Sequence, residues 1–378
     1  MPSAAVTLPD RHLCNGQKDY QLGLHQCEPH GDLTDRFYAR RPRHLTLSIS
    51  NAHTASELRN VGLENKGLQT MTHTIASVVI PAAGKGTRLL PATKATPKEL
   101  LNIYDRPALQ FAIDEAIDLG VQRIVIVIHP DKSGIRQYLT PDRAFIDDLN
   151  ASGKTRLGAA LANIEVPGHI EVVFAEQPQP LGLGHAVLCA AELTLPGPFA
   201  VLLPDDLILG TPCLSEMADY YTGGHMIAAM EVPQEETSSY GIFSVTQASI
   251  GRSLLVSGMV EKPNPDEAPS RLAAVGRYIL DPRIFETLRD VPKGAGGEIQ
   301  LTDAIARDAE DIALHAFRFS GTRFDCGCHD GLLDAAIARK HQVRGGRNGI
   351  AAKGISALSI GGKVTVSGAD TAGIYHAR

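Results

Sequence analysis

The sequence predicts an α/β fold of parallel strands joined by helical crossovers, and three observations point to it. Short, nearly uninterrupted apolar runs stand at residues 77–81, 124–128, 171–175, 199–203 and 225–232. Such runs mark strands buried on both faces. Residues 108–119 carry apolar side chains at helical spacing between the first two runs. Strand, helix, strand in that order needs a crossover, and crossovers between parallel strands are right-handed.

Taken in order, the run at 77–81 ends in Pro81 and opens into a glycine-bearing turn. The helix at 108–119 leads to the second strand, 124–128, and the third follows at 171–175. The strand at 199–203 ends in the acidic pair Asp205-Asp206. After 225–232, further strand-like pieces lie at 241–245, 257–261, 273–280 and 313–319. No repeat of solenoid period is present.

Composition narrows the function classes. The chain has 378 residues, 36 Lys+Arg against 42 Asp+Glu, and a net charge of −6. That balance argues against a general nucleic-acid binder. Six cysteines are too few for a disulfide scaffold and fit a reducing compartment. There is no basic-then-apolar leader of the secretory kind. No apolar stretch reaches the length of about 18 residues that a membrane span needs. The expectation is a soluble, cytoplasmic protein without nucleic-acid or membrane partners.

The two ends differ from the middle. Residues 1–71 show little sustained periodicity and hold five of the 14 histidines. They read as a leader outside the fold, with translation starting at Met71; a real but disordered arm is the alternative. Spacings such as His25-x-Cys27-x-x-His30 match no zinc module. The globular domain is expected over 72–341. Residues 342–378, rich in glycine and basic residues, read as a flexible tail.

The chemistry lies at strand ends. Small residues Ala82, Ala83, Gly84 and Gly86 let backbone approach a ligand, and successive N–H groups in such a turn cradle an anion. Thr87 follows, and Arg88 adds a planar cation suited to phosphate oxygens. Lys98, held in a turn by Pro97, is a candidate second cation. Asp205 and Asp206 end a buried strand and suit Mg²⁺, which takes oxygen ligands and usually one or two carboxylates plus phosphates. Glu261 can accept from sugar hydroxyls and Lys262 can neutralise a phosphate. Thr302 or Asp303 is expected to cap a helix after a glycine-rich loop. Asp325 is a candidate second metal ligand. There is no Ser–His or Cys–His nucleophile arrangement, which favours direct phosphoryl-type transfer by positioning and charge neutralisation.

These residues carry a resemblance. Segments PATKATPKELL (91–101), GLGHAVLCA (182–190), LPDD (203–206), SYGIF (239–243), VEKP (260–263), VGRYIL (275–280), GAGGEIQLTDAI (294–305) and FDCG (324–327) resemble the bacterial UTP–glucose-1-phosphate uridylyltransferase family. The likeness spans 76–341. It implies a Rossmann-like nucleotidyltransferase fold with a mixed, largely parallel central sheet flanked by helices. It also implies UTP and glucose 1-phosphate as substrates, Mg²⁺ as cofactor and a homodimer or homotetramer. By motif, Ala82, Ala83 and Gly84 would approach the nucleotide, with Gly86, Thr87 and Arg88 around its phosphates. Lys98 would join the phosphate site and Glu99 the nucleotide pocket. Gln177 and Gly182 would read the uracil edge, and Asp205 would be the principal metal ligand. Gly241, Glu261 and Gly276 would meet the glucose, and Lys262 its phosphate. Leu181 stands where the family commonly has a lysine, and the tail does not resemble the family's usual helical ending.

Overall fold

Val78 and Ile80 point to one side of the first strand and Val79 to the other, and all three are buried. That alternation needs cover on both faces. The computed structural model, which describes residues 74–245 and 251–347, supplies it. Strand β1 (Ser77–Pro81) is followed by 3-10 turns at Thr87–Leu89, Ala92–Lys94 and Lys98–Leu100. A small hairpin, β2 (Asn102–Ile103) and β3 (Arg106–Pro107), leads into α1 (Ala108–Asp118). Next come β4 (Arg123–Ile128), three short helices α2 (Ser133–Leu139), α3 (Arg143–Ala151) and α4 (Thr155–Ala162), and β5 (Glu171–Glu176). The chain continues through α5 (Leu183–Cys189), β6 (Phe199–Leu202), β7 (Asp206–Leu209), α6 (Cys213–Tyr220) and β8 (His225–Glu231). Then follow β9 (Gly241–Ser244), β10 (Ser253–Val256), β11 (Gly258–Glu261) and β12 (Leu272–Leu280). Last are α7 (Ile284–Asp290), α8 (Leu301–Asp308), β13 (Leu314–Arg318), β14 (Thr322–Asp325) and α9 (His329–Arg347).

The main sheet has ten strands along the path β10-β13-β8-β12-β6-β1-β4-β5, with β9 and β11 branching from β12. Strands β5, β4, β1 and β6 are mutually parallel. Strand β12 runs antiparallel between β6 and β8, and β13 is parallel to β8. The chain goes from β1 outward to β4 and β5, then returns to the other side of β1 as β6. That reversal opens a crevice at the carboxyl ends of β1 and β6, where sheets of this kind bind ligands. One core layer packs Leu109 and Ile113 of α1 and Met217 of α6 on the sheet. The other packs Val187, Leu288 and Ile305 of α5, α7 and α8.

Two expectations need correction, and two features were not anticipated. The piece at 257–261 is β11, which starts at Gly258, and the strand before it, β10, has no counterpart in the sequence reading. The ribbon of β7 with β14, antiparallel, has no sequence signal, because DLIL and TRFD are short and half polar. The tail begins later than 341, since α9 continues to Arg347. Neither Thr302 nor Asp303 caps α8: Gln300 is the N-cap, without a side-chain cap bond. The reading of residues 1–71 and the rest of the tail lie outside the described residues. Among the described residues no helix is long and apolar enough to cross a membrane.

A buried ion pair fixes the floor of the crevice. Arg277 on β12 meets Glu115 of α1 through Nε at 3.0 Å and Nη2 at 2.9 Å. Its Nη1 also donates to the carbonyls of Leu203 and Gly276. The other Glu115 oxygen accepts from the Leu214 amide at 2.9 Å. Three elements thus converge on one carboxylate. Removing one partner of such a pair strands a buried charge, which costs about 3–5 kcal/mol. Glu115→Ala is expected to lose that much in urea unfolding, far more than truncation of the exposed Glu171 carboxylate paired with Arg123.

Candidate active site

The glycine turn after β1 presents a run of backbone amides to the crevice. The Ala82 amide still pairs with the Val127 carbonyl at 2.7 Å, extending the β1–β4 ladder by one bond. Beyond it, the amides of Ala83, Gly84, Lys85 and Gly86 enter no backbone hydrogen bond among the described residues. Gly86 has φ 65°, a left-handed conformation that costs an L side chain, and Thr93 Oγ1 donates to its carbonyl at 2.8 Å. Thr87 and Arg88 start the 3-10 turn that follows.

Lys132 holds this turn in place, and the sequence did not single it out. It sits just after β4, and its Nζ donates to the Ala82 carbonyl at 2.7 Å and the Gly84 carbonyl at 2.6 Å. It also lies 2.9 and 3.1 Å from the two oxygens of Glu99, whose side chain is fully buried. The carbonyls of the turn are thereby drawn inward. Burial holds the Glu99 carboxyl above its usual pKa against the pull of Lys132 and Lys98, and burial lowers the Lys132 ammonium. Glu99 was expected in the nucleotide pocket. The structure places it beneath the turn, where both oxygens are engaged by Lys132.

Two further ion pairs cross the crevice. Lys98 Nζ lies 2.5 Å from Asp205 Oδ2. Arg88 Nη1 lies 3.2 Å from Asp325 Oδ2. Burial pushes the Asp205 carboxyl up, but Lys98, and more weakly Arg88, hold it below the usual carboxylate range. Burial likewise pulls Lys98 down, and Asp205 and Glu99 together outweigh it, so its ammonium is stabilised. The Cys326 amide donates to the Asp205 carbonyl at 2.8 Å, which brings the end of β14 beside the end of β6. Asp206 has a different task. One oxygen takes Arg323, with Nε at 2.7 Å, and the other accepts from the Gly276 amide at 2.9 Å.

Arg88, Asp205, Gly241, Glu261, Lys262, Gly276 and Asp325, all singled out in the sequence, line one cleft of about 360 Å³. Arg323 and Tyr240 line it as well. Thr302 Oγ1 donates to Glu261 Oε2 at 2.7 Å, which explains why it does not cap α8. Lys262 has φ 45°. A left-handed lysine is strained by about 1–3 kcal/mol, and such strain clusters at functional sites. Its side chain is half-exposed, 3.3 Å from Glu261. Gln177 and Gly182 lie outside this cleft, at the end of β5 and the start of α5. A Cβ on Gly182 would stand 2.8 Å from both Glu298 Cβ and the Ile299 carbonyl oxygen, so only glycine lets the two segments approach.

The family profile described as "Nucleotidyl transferase" matches residues 77–342. The chain is 41% identical over 261 residues to the UTP--glucose-1-phosphate uridylyltransferase of Komagataeibacter xylinus, covering 68% of this chain and 91% of that protein. The chain belongs to this uridylyltransferase group of the nucleotidyl transferase family. A second member, from Bacillus subtilis (strain 168), is 42% identical over 267 residues, covering 70% of this chain and 90% of its own. The solved UTP-bound UGPase from Acinetobacter baumannii superposes with a TM-score of 0.66 at 40% identity, covering 71% of this chain and 94% of that one.

Nucleotidyl transferases of this family generally depend on a divalent metal. The residues present fit one. Asp205 and Asp325 bring hard oxygen donors to the same cleft. Among the described residues no group of three or more His, Cys, Asp or Glu is placed to hold a metal ion by itself, so substrate phosphate oxygens and water would have to supply the remaining ligands, as is usual for small hard cations.

Lys132→Met removes both bonds to the turn and leaves Glu99 buried without a partner. The loss is expected to be about 3–5 kcal/mol in chemical denaturation. Adding Glu99→Gln should recover most of that stability while nucleotide affinity, read by calorimetry, stays about tenfold down because the turn is no longer held.

Proposed function

We propose that this chain is a UTP–glucose-1-phosphate uridylyltransferase, with Mg²⁺ as its divalent cation, acting in the cytoplasm as a homodimer or homotetramer. The observation that carries the reading is the meeting of two cation–carboxylate pairs, Lys98–Asp205 and Arg88–Asp325, between a phosphate cradle and the Glu261–Lys262 pair. The curated relatives bear the same activity in their names.

The phosphate oxygen of glucose 1-phosphate attacks the α-phosphorus of UTP in line. A new P–O bond forms, the bond to the bridging oxygen breaks, and pyrophosphate leaves with that electron pair. No covalent enzyme intermediate is needed. Two anions must meet, and a unit-charge pair at 4 Å repels by about 4 kcal/mol at an effective dielectric near 20. The free amides of residues 83–86 bind the triphosphate. Lys98 and Arg88 turn to its phosphate oxygens, and Lys262 holds the sugar phosphate. Glu261 orients the glucose, and Gly241 and Gly276 line its part of the cleft. Asp205 and Asp325 would hold Mg²⁺, which when bound neutralises phosphate charge.

The purified chain is expected to release pyrophosphate from UTP plus glucose 1-phosphate, and chelation by EDTA to stop it. Lys262→Ala should lower kcat/KM by about 10²–10³. A folded Lys262→Ala protein of near-normal rate would remove that residue from the mechanism.

A further inference from the structure

His185 takes no part in the chemistry above, yet it is bound to Gln177, the side chain that the family resemblance sets against the uracil edge. Gln177 follows β5 and is only 5% exposed. One terminal atom of its amide lies 3.0 Å from the Gly182 carbonyl oxygen. A carbonyl can only accept, so that atom is the nitrogen, and the orientation of the amide is fixed by chemistry. The same nitrogen lies 3.0 Å from His185 Nδ1. Its second N–H therefore meets a ring nitrogen that must offer a lone pair. His185 is neutral, with its proton on Nε2.

Both N–H groups of Gln177 are then consumed inside the protein. Its Oε1 has no partner among the described residues and is not a sealed buried atom. The only function left to the exposed end of Gln177 is to accept one hydrogen bond. A ligand that meets it must bring a donor.

We infer that His185 is a positioning residue for base selection: by accepting from Gln177 Nε2, it holds Gln177 Oε1 outward as an acceptor, so the site takes a base with a ring N–H. Uracil and thymine carry that donor at N3. Cytosine presents a lone pair at N3, and two acceptors would face each other across the contact. The inference rests on the proposed function only in taking Gln177 to face the base.

The surroundings support the neutral form. Burial, and then the Lys293 ammonium in the segment between α7 and α8, hold the His185 imidazole below its usual pKa. Cys189, one turn along the same helix, lies 3.8 Å from the ring, and burial keeps its thiol protonated. His185 and Gln177 come from different elements, α5 and the end of β5, so neither can turn without breaking the contact.

Equilibrium binding of UTP, CTP, dTTP and dCTP to the full chain with Mg²⁺ tests this. The wild type is expected to prefer UTP over CTP, and dTTP over dCTP, by about a hundredfold, since a site left with an unmatched polar pair rejects the wrong ligand strongly. His185→Phe keeps a ring but removes the acceptor, and should lower both ratios by about tenfold at an unchanged melting temperature. His185→Gln offers an oxygen to the same nitrogen and should restore them. A folded His185→Phe protein with wild-type ratios would overturn the inference, as would a wild type that does not distinguish UTP from CTP. A wild type that binds thymidine better than uridine nucleotides, and both better than cytidine ones, would overturn the uridylyl reading while supporting the role of His185.

Discussion

The cleft depends on the pairing of charge. Two cations and two carboxylates come from four stretches of chain, and each is held by an opposite partner: Lys98 by Asp205, Arg88 by Asp325. Unpaired, any of the buried members would be costly to keep ionised. Paired, they stay charged and in place. On the proposed function the partners exchange: Lys98 and Arg88 pass to phosphate oxygens, and Asp205 and Asp325 are freed as oxygen donors. A nucleotide arriving alone would take the cations and leave two carboxylates bare beside its phosphates. On that reading, nucleotide binding is coupled to the binding of a divalent cation.

Two buried hubs keep the exchanging groups at the right distance. On one side, Lys132 and Glu99 fasten the glycine turn to the 3-10 turn that carries Lys98, so cradle and cation move as one piece. On the other, Arg277 and Glu115 tie β12 to α1 and to the start of α6, beneath the end of β6. Asp206 and Arg323 join β7 to β14, which sets Asp325 beside Asp205. The topology explains why these residues meet. The chain reverses direction across the sheet between β1 and β6, and their carboxyl ends open into the same crevice.

Much of this was legible in the sequence. Buried parallel strands announce themselves as apolar runs, so β1, β4, β5, β6 and β8 stood out. The cradle, the acid after β6 and the Glu261–Lys262 pair stood out because unusual residues follow a strand. What stayed hidden depends on partners far away in the chain. Lys132, in a His-Pro-Asp-Lys turn, reads as a solvated lysine until its contacts with Ala82 and Gly84, some fifty residues earlier, are seen. Its position at the carboxyl end of a buried strand was the one available signal. Asp205 and Asp206 are adjacent and chemically identical, and only the approach of Lys98 to one and Arg323 to the other separates their tasks. Short strands such as β7 and β14 are defined by each other rather than by their own composition.

Equilibrium binding of UTP to the wild type and to Asp205→Asn, with and without Mg²⁺, tests the charge exchange most directly. Without metal, the variant is expected to bind UTP about tenfold more tightly than the wild type, because Lys98 is free and one carboxylate charge is gone. With metal, the wild type should gain strongly and the variant little. An unchanged metal-free affinity together with an undiminished gain from Mg²⁺ in Asp205→Asn would contradict the account.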